Sequence, residues 1–133
     1  MRDITGEIVD AAYHVHTRLG PGLLESVYEA VMAEVLGRRG LSVERQMCVP
    51  LEFEGARLAE AFRVDLFVEK LVVVELKSVE TIPPVCTKQV LTYLRLLNAP
   101  VGLLLNFGAR TMKEGIRRIA HRVPAEPEEL VVP

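Results

Sequence analysis

Asp65 in "FRVDLFV", Glu75 in "LVVVELKS" and Lys77 two residues further on are the side chains whose types and spacing could do chemistry. Both runs alternate as strands do, and the second is too rich in valine and leucine to be other than buried. Only Glu69 and Lys70 separate them, so they read as a β-hairpin. In an antiparallel pair, opposed residues share a face and their numbers add to a constant. An odd turn centred on Lys70 sets Asp65 across from Glu75, with Lys77 on the same face and Val72, Val74 and Leu76 on the other. An even turn points the carboxylates apart and leaves Glu75 and Lys77 as a solvated strand pair. In the odd case two unit charges about 4 Å apart repel by roughly 4 kcal/mol at an effective dielectric near 20. An exposed pair with lysine returns only about 0–1 kcal/mol. A divalent cation between the carboxylates reverses the sign, and hard Mg²⁺ or Mn²⁺ suits their oxygens.

The elements that must position these groups follow from periodicity. Ile4, Ile8, Ala11, Ala12, Val15 and Leu19 recur at helical spacing and Gly20-Pro21-Gly22 stops them, giving a first helix from Ile4 to Leu19. A second helix runs from about Leu23 to Arg39, with a stripe of Leu24, Val27, Tyr28, Val31 and Val35 and Gly40 as its cap. Glu25 borders that stripe in the first turn, where the helix dipole alone favours a carboxylate. His14 and His16 lie near the end of the first helix, where packing or solvation accounts for a histidine as readily as a site does; His16 is carried as a candidate. "SVERQMCVPLEFEG" alternates as a first strand, Pro50 hinting at an edge or bulge, so that three strands form a meander.

Thr81-Ile82-Pro83-Pro84 starts a third helix from about Val85 to Leu97, which buries Val90, Leu91, Leu94 and Leu97. Gln89 and Tyr93, four apart, share a different face. "VGLLLNF" is an apolar strand suited to a sheet interior and, after a crossover helix, to a parallel neighbour. Beyond Gly108, Met112, Ile116, Ile119, Ala120 and Val123 keep helical spacing, with Gly115 against it and a short final strand as the alternative. Lys113, Arg117 and His121 would line one face of that helix, a stripe for phosphates or simply a solvated face.

The 133 residues, half of them hydrophobic, make one ordinary domain over 1–123 with a flexible, acidic and proline-rich tail over 124–133. A net charge of −2, from 16 basic and 18 acidic residues, leaves any nucleic-acid contact to a local patch. Cys48 and Cys86 have no CxxC spacing and read as inert, reduced thiols. With no signal h-region and no apolar run of spanning length, the expectation is a cytoplasmic protein without a membrane partner.

With these elements in order, ααβββαβ, the chain resembles the GxxExxY proteins of the PD-(D/E)XK nuclease superfamily. The naming motif stands as Gly22-Leu23-Leu24-Glu25-Ser26-Val27-Tyr28, and the resemblance runs on through "VDLFVEKLVVVELKSVE", "KQVLTYL" and "VGLLLNFG". It implies an α/β (α+β) fold with a restriction-endonuclease-like core, a mixed sheet flanked by helices. It makes Asp65 and Glu75-Leu76-Lys77 the acidic and ExK motifs, Glu25 the core-helix carboxylate, and Gln89 with Tyr93 the QxxxY element of RecB-like exonucleases. The proline that names the superfamily is replaced by Val64. The activity implied is Mg²⁺- or Mn²⁺-dependent hydrolysis of phosphodiesters, in DNA before RNA, by a chain that could pair as a homodimer. Asp65, Glu75, the Leu76 carbonyl and Glu25 would be the metal ligands, Lys77 the group acting on water or phosphate, and Gln89 and Tyr93 supports. A non-catalytic nuclease-fold module that binds nucleic acid or a protein is the competing expectation, because members of a fold can lose its chemistry.

Overall fold

The apolar spacing of the first segment is realised as α1, Ile4–Leu19, in a computed structural model that describes residues 2–121. Asp3 caps its start by accepting from Gly6 N–H, and Gly20 at φ 71° ends it. Helix α2 spans Glu25–Arg38 and α3 spans Val85–Leu97. The strands are β1 (Val43–Phe53), β2 (Ala56–Val68), β3 (Val72–Lys77), β4 (Val101–Asn106) and β5 (Ile116–Ala120), with a single turn of helix, α4, at Met112–Gly115. They form one mixed sheet in the order β1-β2-β3-β4-β5, antiparallel except for the parallel pair β3 and β4 that the α3 crossover joins. No helix among the described residues is long and apolar enough to cross a membrane.

The sheet has a core on each side. Helices α1 and α2 cover one face through Ile8, Val15, Met32 and Leu36, packed on Leu66, Val74, Leu76, Leu103, Leu105 and Phe107. Helix α3 covers the other through Val90, Tyr93 and Leu94, packed on Val64, Phe67, Val73 and Leu104. Side chains of β2 alternate between the cores until Asp65, where Leu66 joins one core and Val64 the other; the strand swivels there.

Three expectations are corrected. The segment after Gly108 is helical for only one turn and then becomes β5, paired antiparallel with β4 from Leu105↔Ile116 to Val101↔Ala120. The reason is tertiary: β4, buried at all six residues, presents an open edge whose N–H and C=O groups must pair. Lys113, Arg117 and His121 therefore share no helical stripe, while Val123 and the tail 124–133 lie outside the described residues. The buried side of α2 is Tyr28, Glu29, Met32 and Leu36; of the expected stripe Tyr28 is buried and Val31 and Val35 pack against the same core, while Val27 is 39% and Leu24 73% exposed. The buried side of α3 is Cys86, Val90, Tyr93 and Leu94, so Tyr93 joins the core.

Two features bear on function. Strand β2 has 13 residues and β3 only six, so the β1–β2 ribbon runs past Asp65 without a third strand to a tip at Glu54–Gly55, both at positive φ. Phe53 and Leu58 are exposed near that tip. Strand β1 is an edge, and its ladder is irregular between Val49 and Leu51, at Pro50.

Candidate active site

Asp65 and Glu75 stand where the β2–β3 ladder stops. Backbone pairing runs Val68↔Val72, Phe67↔Val73 and Leu66↔Val74, so the turn has three residues centred on Lys70 and the next opposed pair is Asp65 with Glu75. Glu69 and Lys70 enable it by adopting left-handed φ values of 54° and 51°. At the next pair, side chains take over the hydrogen bonding. Asp65 N–H donates to Glu75 Oε1 at 3.0 Å, and Leu76 N–H donates to Asp65 Oδ2 at 2.9 Å. The odd turn is the one realised, and the two carboxylates meet in the fork between the strands.

Their environment resists carrying two negative charges. Glu75 is 8% exposed. Burial first and the Asp65 charge second push its carboxyl up to about 8, against the opposing pull of Asp65 N–H and the Lys77 charge. Burial also raises Asp65, with Leu76 N–H opposing and the Glu29 charge adding to the rise. Tyr93 is raised as well, by burial and then by both carboxylates, which places its hydroxyl within their field. Lys77, half-buried, forms no ion pair among the described residues.

Helix α2 closes the fork from the side opposite α3. Glu25, its first residue, is exposed and lines a cleft of about 210 Å³ with Ser26, Glu29, Gln46 and Asp65. The tyrosine of the motif explains how that helix start is held. Tyr28 Oη accepts from Leu23 N–H at 3.2 Å and donates to Gly20 O, while its ring stacks on Phe107 at 4.4 Å. Ser78, next after Lys77, donates its hydroxyl to Leu23 O at 2.6 Å. The loop before Glu25 is thus tied both to its own helix and to the end of β3. Tyr28→Phe keeps the stack but strands Leu23 N–H and Gly20 O, a loss of about 1–3 kcal/mol expected as a lowered thermal midpoint.

Of the remaining candidates, Tyr93 is buried against Phe62, ring centroids 5.7 Å apart, and Gln89 is exposed one turn earlier on α3. His16 is engaged elsewhere: its Nε2 bonds Ala109 O at 2.9 Å and its ring stacks on Phe107, so it serves packing between α1 and the end of β4. Sequence reasoning missed Glu29 and Gln46. Glu29 is 7% exposed and bonded to Arg45 and Gln46, and Gln46 Nε2 reaches Asp65 Oδ1 at 3.2 Å. The available signal was spacing: Glu29 lies four residues after Glu25, on the same helical face.

Among the described residues no three His, Cys, Asp or Glu side chains close into a ready cage for a metal. The donor set nonetheless fits a hard divalent cation. Two adjoining carboxylates are both driven toward the neutral form, Glu75 by burial and the Asp65 charge and Asp65 by burial and the Glu29 charge, a state that a positive ion between them would relieve. Among family models, the one described as the PD-(D/E)XK nuclease superfamily matches residues 2–119. No curated protein and no solved structure matches the chain.

Proposed function

The chain belongs to the PD-(D/E)XK nuclease superfamily, and from that membership we propose that it is a metal-dependent nuclease of the GxxExxY kind, cleaving phosphodiester bonds in DNA in preference to RNA. The observation that carries the reading is the fork, where Asp65 and Glu75 each bond the backbone of the other's strand beside a half-buried Lys77 that forms no ion pair among the described residues. Asp65, Glu75 and the Leu76 carbonyl would hold one Mg²⁺ or Mn²⁺, with Glu25 completing its sphere through water or holding a second. Such an ion, when bound, supplies positive charge at the phosphate and makes water a better nucleophile at neutral pH.

The rest of the chemistry falls to the chain. Lys77 orients the attacking water, assists its loss of a proton or meets the negative charge that grows on the phosphate, its distance from the ion deciding which. Tyr93, whose hydroxyl feels the charge of Glu75, steadies that carboxylate from the α3 side, and exposed Gln89 hydrogen-bonds the scissile strand. Glu25 is held in reach by the Tyr28 and Ser78 bonds to the preceding loop.

The test is cleavage of labelled single- and double-stranded DNA and RNA by the wild-type chain. Nicking in Mg²⁺ that stops on chelation and returns with Mn²⁺ is the expected result, DNA being cut faster than RNA. Tight nucleic-acid binding with no cleavage in any divalent cation would overturn it in favour of a non-catalytic module.

A further inference from the structure

Gln46 interrupts β1 without interrupting its register. Arg45 pairs with Leu66 and Met47 with Val64 at the same sum, so no residue is inserted on either strand. Gln46 nevertheless takes φ 49°, in the left-handed region that is unfavourable for a side chain of its kind and that glycine would occupy freely. The backbone geometry alone calls for glycine; the glutamine side chain is what the kink serves. It sends the amide into the cleft beside α2, where Nε2 donates one hydrogen to Glu29 Oε1 and the other to Asp65 Oδ1.

The chain of bonds continues in both directions. Glu29, its side chain 10% exposed, also accepts from Arg45 Nη2 at 3.0 Å. Asp65 is held at its second oxygen by Leu76 N–H. Its carboxylate is therefore gripped at both ends, by an amide on β1 and by the backbone of β3. The chemical type of the grip matters. An amine or guanidinium opposite Asp65 would fix it equally well but would cancel its charge, whereas an amide orients a carboxylate and leaves its charge available to a cation. The same nitrogen also stands between two carboxylates, Glu29 and Asp65, that would otherwise face each other directly.

We propose that Gln46 is a positioning residue for Asp65 and that Glu29 is the anchor that aims it. The consequence for cation binding rests on the nuclease reading above; the consequence for the bond between Leu76 and Asp65 does not. With the amide removed, Asp65 turns about its side-chain bonds and the Leu76 N–H bond loosens.

The experiment measures amide hydrogen exchange at Leu76 by NMR and Mn²⁺ affinity by calorimetry in wild type and in Gln46→Met, Gln46→Glu, Glu29→Met and Glu29→Gln. Gln46→Met is expected to speed exchange at Leu76 tenfold or more relative to Val73 and Val74, and to weaken Mn²⁺ binding by a similar factor. Gln46→Glu keeps the length and loses the donors, so it should do the same if the methionine variant fails to fold. Glu29→Gln still offers an oxygen to Gln46 and should stay within about threefold of wild type, while Glu29→Met follows Gln46→Met. Unchanged exchange at Leu76 in both folded Gln46 variants overturns the proposal, and so does equal damage from Glu29→Gln and Glu29→Met. A wild type that takes up no Mn²⁺ sinks the nuclease reading and leaves the exchange rates to decide this one.

Discussion

Lys77→Ala is expected to lower turnover about 10²–10⁴-fold, the usual contribution of a positioned acid–base group, while the protein still takes up Mn²⁺. The root of this side chain is rigid. Lys77 pairs with Asn106 in the β3–β4 register. Just beyond it the buried Asn106 carboxamide accepts from Val79 N–H at 3.0 Å and from Gly108 N–H at 3.0 Å, and donates to Val79 O at 2.9 Å. Truncation therefore removes the ammonium without loosening the strand that presents it. One indirect effect has a definite sign. Burial and Asp65 push Glu75 up and Lys77 pulls it down, so the variant ionises Glu75 at higher pH and its rate profile moves to the alkaline side. Binding is best compared above pH 9, by Mn²⁺ titration beside single-turnover cleavage. An affinity for Mn²⁺ that falls as far as the rate would show that Lys77 maintains the site and takes no part in the reaction.

Glu75→Gln should trade activity for stability. In the fold the Glu75 carboxyl is raised to about 8 from an ordinary 4.5, by burial first and then by Asp65. The native state thus holds a proton that the unfolded chain releases between those values. Stability from this group is fully present below pH 4.5 and is lost as the pH rises toward 8, at about 1.4 kcal/mol per unit. Glutamine keeps an oxygen for Asp65 N–H and never ionises, so it matches the protonated wild type. At pH 4 the two metal-free proteins should melt together; at pH 9 the variant should melt about 20 °C higher, at roughly 4 °C per kcal/mol. Added Mg²⁺ should raise the wild-type midpoint at pH 9 and leave the variant unmoved, and the variant should not cleave. A wild type more stable than Glu75→Gln in metal-free buffer at pH 9 would contradict the electrostatic account of the fork.

The hairpin was legible because one quantity, whether the turn count is odd, decides which residues oppose, and the segment between Asp65 and Glu75 allows few registers. Helix α3 was legible at both ends, since Pro83-Pro84 and Asn98-Ala99-Pro100 punctuate it and Asn98 takes the left-handed φ of a helix cap. The final strand was legible only as the alternative to a longer helix. Ile116 and Ile119 are three apart and read as a helical stripe until β4 is known to need a neighbour. Helix α2 was legible in part: Tyr28, Val31 and Val35 do face the core, but a search for apolar residues passes over inward-facing Glu29 and takes in the exposed Leu24 and Val27. The grip of Gln46 on Asp65 could not be read from β1, because a strand pattern predicts alternation and gives no warning of a left-handed residue within it.

The lone ribbon beyond Asp65 has a mechanical consequence. Two strands without a third are marginal in water, so opening of this domain begins at Glu54–Gly55 and travels inward pair by pair. It halts where Val49, Phe62 and Val64 pack under α3, just short of the point at which β3, the Gln46 amide and the Leu76 N–H take hold of β2. Asp65 thus lies behind the α3-packed residues, inside the fixed part of the sheet. The ribbon can be cut back or extended by opposed pairs at its outer end with the fork at its root left in register.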